Sequence, residues 1–172
     1  MMKIKQTASD RHVLNITTDN EAGILAKIAG LFTARGYTID SLTVADISEN
    51  HKVSRFTIVT NGPPHVIDQI EAQLDRLVPV HRVVDLTQAG PHVEREMALV
   101  KVAATGAARD EALRVSMESH AKVVDTTDHS LIFEFTGAPH EIDSIIARMR
   151  DHGDVEVGRT GVVGMMCGAM GA

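Results

Sequence analysis

The chain has 172 residues, 44% of them apolar and 23% charged, which excludes disordered and collagen-like classes and suits one large domain or two small ones. Lys and Arg total 17 against 23 Asp and Glu, a net charge of −6 with no basic run, so no nucleic-acid groove is expected. The single cysteine, Cys167, permits no internal disulfide, and no apolar run approaches the ~20 residues of a membrane span, so a cytoplasmic protein is expected. In chain order, residues 1–10 read as a flexible extension. A strand is predicted over 12–17, followed by the turn-rich stretch TDNEAG. A helix over 24–35 places Ile24, Leu25, Ile28, Leu31 and Phe32 on one face, and Gly36 follows where a left-handed cap needs a residue without a Cβ. Strands over 38–45 and 54–60 flank the polar loop DISENHK. Pro63 and Pro64 open a second helix with Val66, Ile67, Ile70, Leu74 and Leu77 inward, and VHRVVDL is the closing strand.

The order then repeats. GPPHVIDQIEAQL (62–74) and GAPHEIDSIIARM (137–149) share seven of thirteen residues without a gap, at a separation of 75. MALVKVAA reads as a strand, ARDEALRVSMES as a weaker helix, AKVVDT and SLIFEF as strands, HEIDSIIARMRD as a helix and DVEVGRT as a strand. Two β-α-β-β-α-β units make an α+β protein of two tandem ferredoxin-like units, each an antiparallel sheet with its helices on one face. The expected boundaries are 11–87 and 94–164, with a linker over 88–93 and a flexible tail over 165–172. The other sheet faces and the edge strands would stay open, which favours pairing with a second copy.

Reactive constellations are missing from the sequence: there is no HExxH, GxSxG or P-loop pattern, and Gly158, Gly161 and Gly164 follow a strand instead of opening a βαβ unit. Nine His residues are scattered, so no metal site is expected, and Cys167 has no activating neighbour. One segment stands out, Asp19 to Leu25. Asn20 offers an amide donor and an oxygen acceptor, and Gly23 permits a left-handed turn or close backbone approach. The free N–H groups at the start of the following helix suit a carboxylate. A small amino acid fits this combination, with its carboxylate at the helix start, its ammonium on acceptors such as Asn20, and its side chain on Ile24 and Leu25. The same residues also read as an ordinary turn in which Asp19 or Asn20 caps the helix, which is the commoner arrangement.

The stretches NEAGILAKIAGLFTARGY (20–37), IDSLTVA (39–45), SRFTI (54–58), HVEREMALVKV (92–102) and RTGVVG (159–164) together resemble the regulatory, small subunits of acetohydroxyacid (acetolactate) synthase. The resemblance runs from residue 12 to residue 164 and implies an N-terminal ACT domain, an amino-acid sensor, followed by an ACT-like domain. It also implies a non-catalytic chain that binds and activates a catalytic subunit carrying thiamine diphosphate, Mg and FAD, and that confers valine feedback on branched-chain amino-acid synthesis. Valine would sit where two N-terminal ACT domains meet in a homodimer. Carried over by position, Asn20, Gly23, Ile24 and Leu25 match the loop side of that pocket, and Thr38 and Ile39 the side given by the other copy. The family usually has Asn where this chain has Thr38, and a smaller residue at Ile24, which implies weaker valine binding or a shifted effector preference. An alternative is a stand-alone ACT-type sensor acting on a different enzyme. HVEREMALVKV and RTGVVG speak against it, since a generic ACT domain has no reason to carry them.

Overall fold

A computed structural model describes residues 10–168. Residues 1–9 of the expected extension lie outside the described residues, and its last residue, Asp10, instead opens the first strand. Within the described residues the chain divides into two compact units, one of residues 10–93 and 164–168, the other Glu94–Val163.

The first unit runs β1 (Asp10–Asp19), α1 (Ile24–Ala34), β2 (Ile39–Asp46), β3 (Val53–Gly62), α2 (Pro64–Leu74), β4 (Val80–Asp85) and the single turn α3 (Leu86–Ala89). Its sheet is antiparallel in the order β2-β3-β1-β4, with β2 and β4 at the edges. Residues alternate across a strand, so Leu14 and Ile16 of β1 and Phe56 and Ile58 of β3 face the helices. Ile24, Ile28 and Phe32 of α1 and Ile67, Ile70 and Leu74 of α2 cover them at helical spacing. Fully burying each such side chain contributes ~1.5–3 kcal/mol, which is what holds the helices on one face. Gly36, at φ 71°, ends α1 as the spacing requires, with its N–H on the Thr33 carbonyl and that of Tyr37 on Phe32. Pro64 stands at the start of α2, where no N–H is needed.

The second unit runs β5 (His92–Ala103), α4 (Gly106–Glu118), β6 (Lys122–Thr126), β7 (Ser130–Gly137), α5 (Pro139–Arg150) and β8 (Asp154–Arg159) in the equivalent order β6-β7-β5-β8. Ala98, Val100, Val102, Leu131, Phe133 and Phe135 face Ala112, Val115, Ile142, Ile146 and Met149. The Glu141 carboxylate accepts the Ala138 N–H at the start of α5, closing off that helix end. The architecture is the one expected, two ferredoxin-like units in tandem.

Three features differ from the sequence expectations. Val163–Met166 is a strand, β9, which pairs with β5, in a stretch read as the end of a domain and the start of a flexible tail. The Asn15 amide donates to the Gly164 carbonyl at 2.9 Å, and a Cβ on Gly164 would stand 2.6 Å from Leu86, so only glycine fits this close approach. The Cys167 N–H donates to the Pro91 carbonyl at 2.9 Å, and residues 169–172 of the expected tail lie outside the described residues. This segment also covers part of the sheet face expected to be open, where Val13 and Thr57 are buried. Finally, the stretch 88–93 holds the end of α3 and the start of β5. Asp85 caps α3 by accepting the Thr87 N–H at 2.9 Å, and is itself paired with buried His12 at 2.6 Å.

Candidate functional site

Of the segment singled out in the sequence, Asp19–Gly23 joins the end of β1 to the start of α1, and Ile24 and Leu25 open the helix. Its backbone is pinned on both sides: Asp19 N–H donates to the Pro79 carbonyl at 2.8 Å and Asn20 N–H to the Lys52 carbonyl at 2.7 Å. The Asn20 side-chain amide donates to the His51 carbonyl at 3.0 Å. The amide donor thus ties the segment to the turn between β2 and β3, and the Asn20 side-chain oxygen is left as an acceptor.

That turn is the part sequence reading missed. His51 has φ 57°, in the left-handed region uncommon for non-glycine residues, and its ring contacts Asp46 at 2.5 Å. Asp46 also accepts the Ser48 N–H at 3.0 Å, and Ser48 Oγ accepts the N–H groups of Lys52 and Val53. The Ser48 N–H first, and His51 with it, hold the Asp46 carboxyl below its ordinary range. In the sequence this network is only a polar run; the available signal was Asp46-x-Ser48, the spacing of an Asx turn.

Gly23 is the residue before α1 and takes φ 86°, ψ −4°, and a Cβ built on it meets nothing within 4 Å. No side chain caps α1, and its first turn carries no acidic residue. The expectation that Asp19 or Asn20 caps the helix therefore gives way to an open helix start. The Ile24 N–H is taken by the Glu21 carbonyl at 3.3 Å, which leaves the N–H groups of Leu25 and Ala26 and the partial positive charge of the helix start to suit an anion. Glu21 beside it is engaged by Lys27 at 2.9 Å, an exposed pair of small energetic consequence.

The apolar residues divide. Ile24 is 4% exposed and belongs to the core with Ile28 and Phe32, so it shapes the site from below and does not line its surface. Leu25 is exposed, as are Val44 and Ile47 at the same end of β2. Thr38 is exposed, and its carbonyl accepts from the Thr60 hydroxyl at 2.7 Å; Ile39 is partly buried opposite Thr60. Register separates these two from the loop. Ile39 lies level with Thr60 and His12, whereas Asp19 lies level with Val53. The seven steps from Val53 to Thr60 span about 24 Å of strand at ~3.4 Å each. One chain therefore holds Asn20, Gly23 and Leu25 at one end of the sheet and Thr38 and Ile39 at the other. Among the described residues no group of three His, Cys, Asp or Glu side chains could hold a metal, and no helix is long and apolar enough to cross a membrane.

A duplicated ferredoxin-like unit with an open, glycine-led helix start after its first strand defines the class of tandem ACT-domain proteins. Comparison with known proteins narrows this. Residues 14–82 match the family described as AHAS small subunit-like ACT domain, and residues 95–168 match the family described as small subunit of acetolactate synthase. The acetolactate synthase isozyme 3 small subunit of Escherichia coli K12 is 43% identical over 92% of this chain and 96% of its own length. The acetolactate synthase small subunit of Aquifex aeolicus is 39% identical over 95% of this chain and 84% of its own. The crystal structure of the small subunit from Thermotoga maritima superposes with a TM-score of 0.83 at 32% identity, covering 94% of this chain and 99% of that one. The chain belongs to the acetolactate synthase small-subunit family. It is a non-catalytic, regulatory subunit, and a catalytic large subunit is its partner.

Proposed function

We propose that this chain binds and activates the thiamine-diphosphate-dependent catalytic subunit of acetolactate synthase and makes it sensitive to valine, as feedback on branched-chain amino-acid synthesis in the cytoplasm. Thiamine diphosphate, Mg and FAD belong, in this reading, to the catalytic partner. The observation that carries the proposal is the separation of the two half-sites along the sheet, together with the open start of α1. Two copies paired antiparallel along their β2 edges would bring Thr38 and Ile39 of one beside the Asn20–Leu25 segment of the other. Valine would then present its carboxylate to the N–H groups of Leu25 and Ala26 at the start of α1, its ammonium to the Asn20 side-chain oxygen, and its side chain to Leu25 and the second copy's Ile39.

Such a site explains inhibition as linkage. Valine stabilises one dimer geometry and the catalytic subunit another, so each weakens the other by the same factor, typically ~1–3 kcal/mol. Thr38 offers a short hydroxyl where an Asn amide would reach further, a difference on the order of 1 kcal/mol for one hydrogen bond. Thr38→Asn is therefore expected to tighten valine binding several-fold, read by calorimetry.

The decisive experiment measures acetolactate formation by the catalytic subunit of the same organism, with and without this chain, across a valine titration. Activation that valine reverses supports the whole reading. Activation without a valine response keeps the partner and overturns the effector. No change in activity returns the chain to a stand-alone sensor.

A further inference from the structure

The turn between β2 and β3 holds the Asn20 segment through two consecutive peptide units. The unit joining His51 to Lys52 gives its carbonyl to the Asn20 side-chain amide at 3.0 Å. The unit joining Lys52 to Val53 gives its carbonyl to the Asn20 N–H at 2.7 Å. A trans peptide points its N–H and its carbonyl in opposite directions. The N–H ends of the same two units, those of Lys52 and Val53, both donate to the Ser48 hydroxyl oxygen at 2.9 Å, and the Asn50 side-chain oxygen shares the first at 3.2 Å. Ser48 and Asn20 therefore face each other across two peptide planes, and each is bonded to both.

Ser48 is itself fixed. Its hydroxyl donates to the Asp46 carboxylate at 3.2 Å, and its N–H donates to the same oxygen at 3.0 Å. A hydroxyl has one donor and two acceptor positions, and here all three are taken. The His51 N–H donates to the Ser48 carbonyl at 3.1 Å, and the His51 ring meets the other Asp46 oxygen. These contacts hold His51 at φ 57°, which sets the direction of the peptide unit that follows it. The His51 ring is largely exposed, so its pair with Asp46 contributes little stability; what it fixes is direction. A carbonyl only accepts, so Asn20 must turn its NH2 group to His51, and the oxygen takes the other branch of the planar amide.

We propose that Ser48, fixed by Asp46, is a positioning residue for the effector: through the two peptide units it aims the Asn20 side-chain oxygen at the ammonium group of the bound amino acid. This deepens the reading of the Asn20–Leu25 segment as a valine site and rests on it. Ser48 touches no ligand and acts only through Asn20. The test titrates valine inhibition of the catalytic subunit of the same organism with wild type, Ser48→Ala, Ser48→Thr, His51→Val, Asn20→Ala and Asn20→Ala/Ser48→Ala, alongside thermal melting of each chain alone. Ser48→Ala is expected to raise the valine concentration for half-inhibition at least fivefold, with activation in the absence of valine and the melting midpoint unchanged. Ser48→Thr, which restores the hydroxyl, is expected to stay within twofold of wild type. His51→Val, a β-branched residue that resists positive φ, is expected to match Ser48→Ala and covers the case in which that variant melts early. The double variant is expected to equal Asn20→Ala alone, and effects that multiply overturn the positioning role. Where Asn20→Ala abolishes inhibition outright, the NMR signals of the Asn20 side-chain amide in the full chain are read instead: Ser48→Ala is expected to displace them, and unmoved signals overturn the proposal. Unchanged half-inhibition in both Ser48→Ala and His51→Val overturns it and leaves the valine site intact. No valine response in wild type overturns both readings.

Discussion

The two units share one topology and differ in how they secure their first helix. In the first, α1 inserts Ile24, Ile28 and Phe32 into the core. In the second, α4 buries only Ala112, Val115 and Ser116, and its exterior is laced by ion pairs, Arg114 with Glu111 and Glu118, and Arg148 of α5 with Glu118. Arg109, in its first turn, donates to Thr126 and Thr127 at the end of β6. Exposed pairs contribute little, so α4 leans on small contacts where α1 has a large one. Neither helix start has a side-chain cap, but the first turn of α4 is tied to the end of β6 through Arg109, whereas that of α1 is not tied to its sheet in this way. The shared fold does not make the two sites equivalent.

The sharpest way to break the comparison is through these helices. Phe32→Ala is expected to destabilise the first unit by about 3–5 kcal/mol, while Val115→Ala costs the second about 1–2 kcal/mol, both by urea denaturation. An equal cost would mean that α4 is better anchored than its buried residues indicate. Next is the ion pair joining two of the family-like stretches of the second unit. Arg159 holds Glu96, whose side chain is 4% exposed, through two hydrogen bonds of 2.6 and 2.7 Å, and Asp143 at 2.7 Å. Glu96 chiefly, then Asp143, hold the Arg159 proton more firmly than usual. Arg159→Ala leaves a buried carboxylate alone and is expected to remove about 3 kcal/mol from the second unit, again by urea.

A finer test uses the glycines at the two helix starts. Gly23 and Gly106 both have positive φ, 86° and 54°, and a Cβ on either meets nothing within 4 Å. Asp at either position therefore carries a similar backbone penalty of ~1–2 kcal/mol without a clash. Gly23→Asp sets a carboxylate beside that of the ligand and is expected to raise the valine concentration for half-inhibition more than tenfold. Gly106→Asp is expected to leave it within a factor of two. Loss of inhibition in both would remove the assignment of the effector to the first unit.

The smallest effect expected is a pH dependence. Burial first, and then the charge of Asp85, push the Glu71 carboxyl up, although it accepts the Asp85 N–H at 3.0 Å. A carboxyl raised by folding is an advantage when protonated, and that advantage is lost as pH rises through the ordinary carboxylate range to the raised value. Glu71→Gln keeps the acceptor without the charge, so its melting midpoint should exceed that of wild type at pH 7 and equal it at pH 4. A lower midpoint at pH 7 would show that the ionised carboxylate is favoured in the fold.

Much of this protein is legible from local spacing. The duplication is read from like residues 75 positions apart, while the two apolar helix faces, Pro64 at a helix start and Gly36 at a helix end follow from residues a few positions apart, where side-chain periodicity and backbone sterics act directly. Ile24 shows the limit, because one position served two readings: its periodicity put it on the core face and its place in the loop put it in the site. The tertiary structure gives it to the core, and leaves Leu25 exposed. What remained hidden depends on partners distant in sequence. The strand Val163–Met166 has no apolar period to announce it, and Gly164 is held by Asn15, 149 positions away. The use of the Asn20 amide by His51 and the separation of Thr38 from Gly23 along the sheet were likewise decided by strand register. Register comes from packing a whole sheet against its helices, and no window of neighbouring residues contains it.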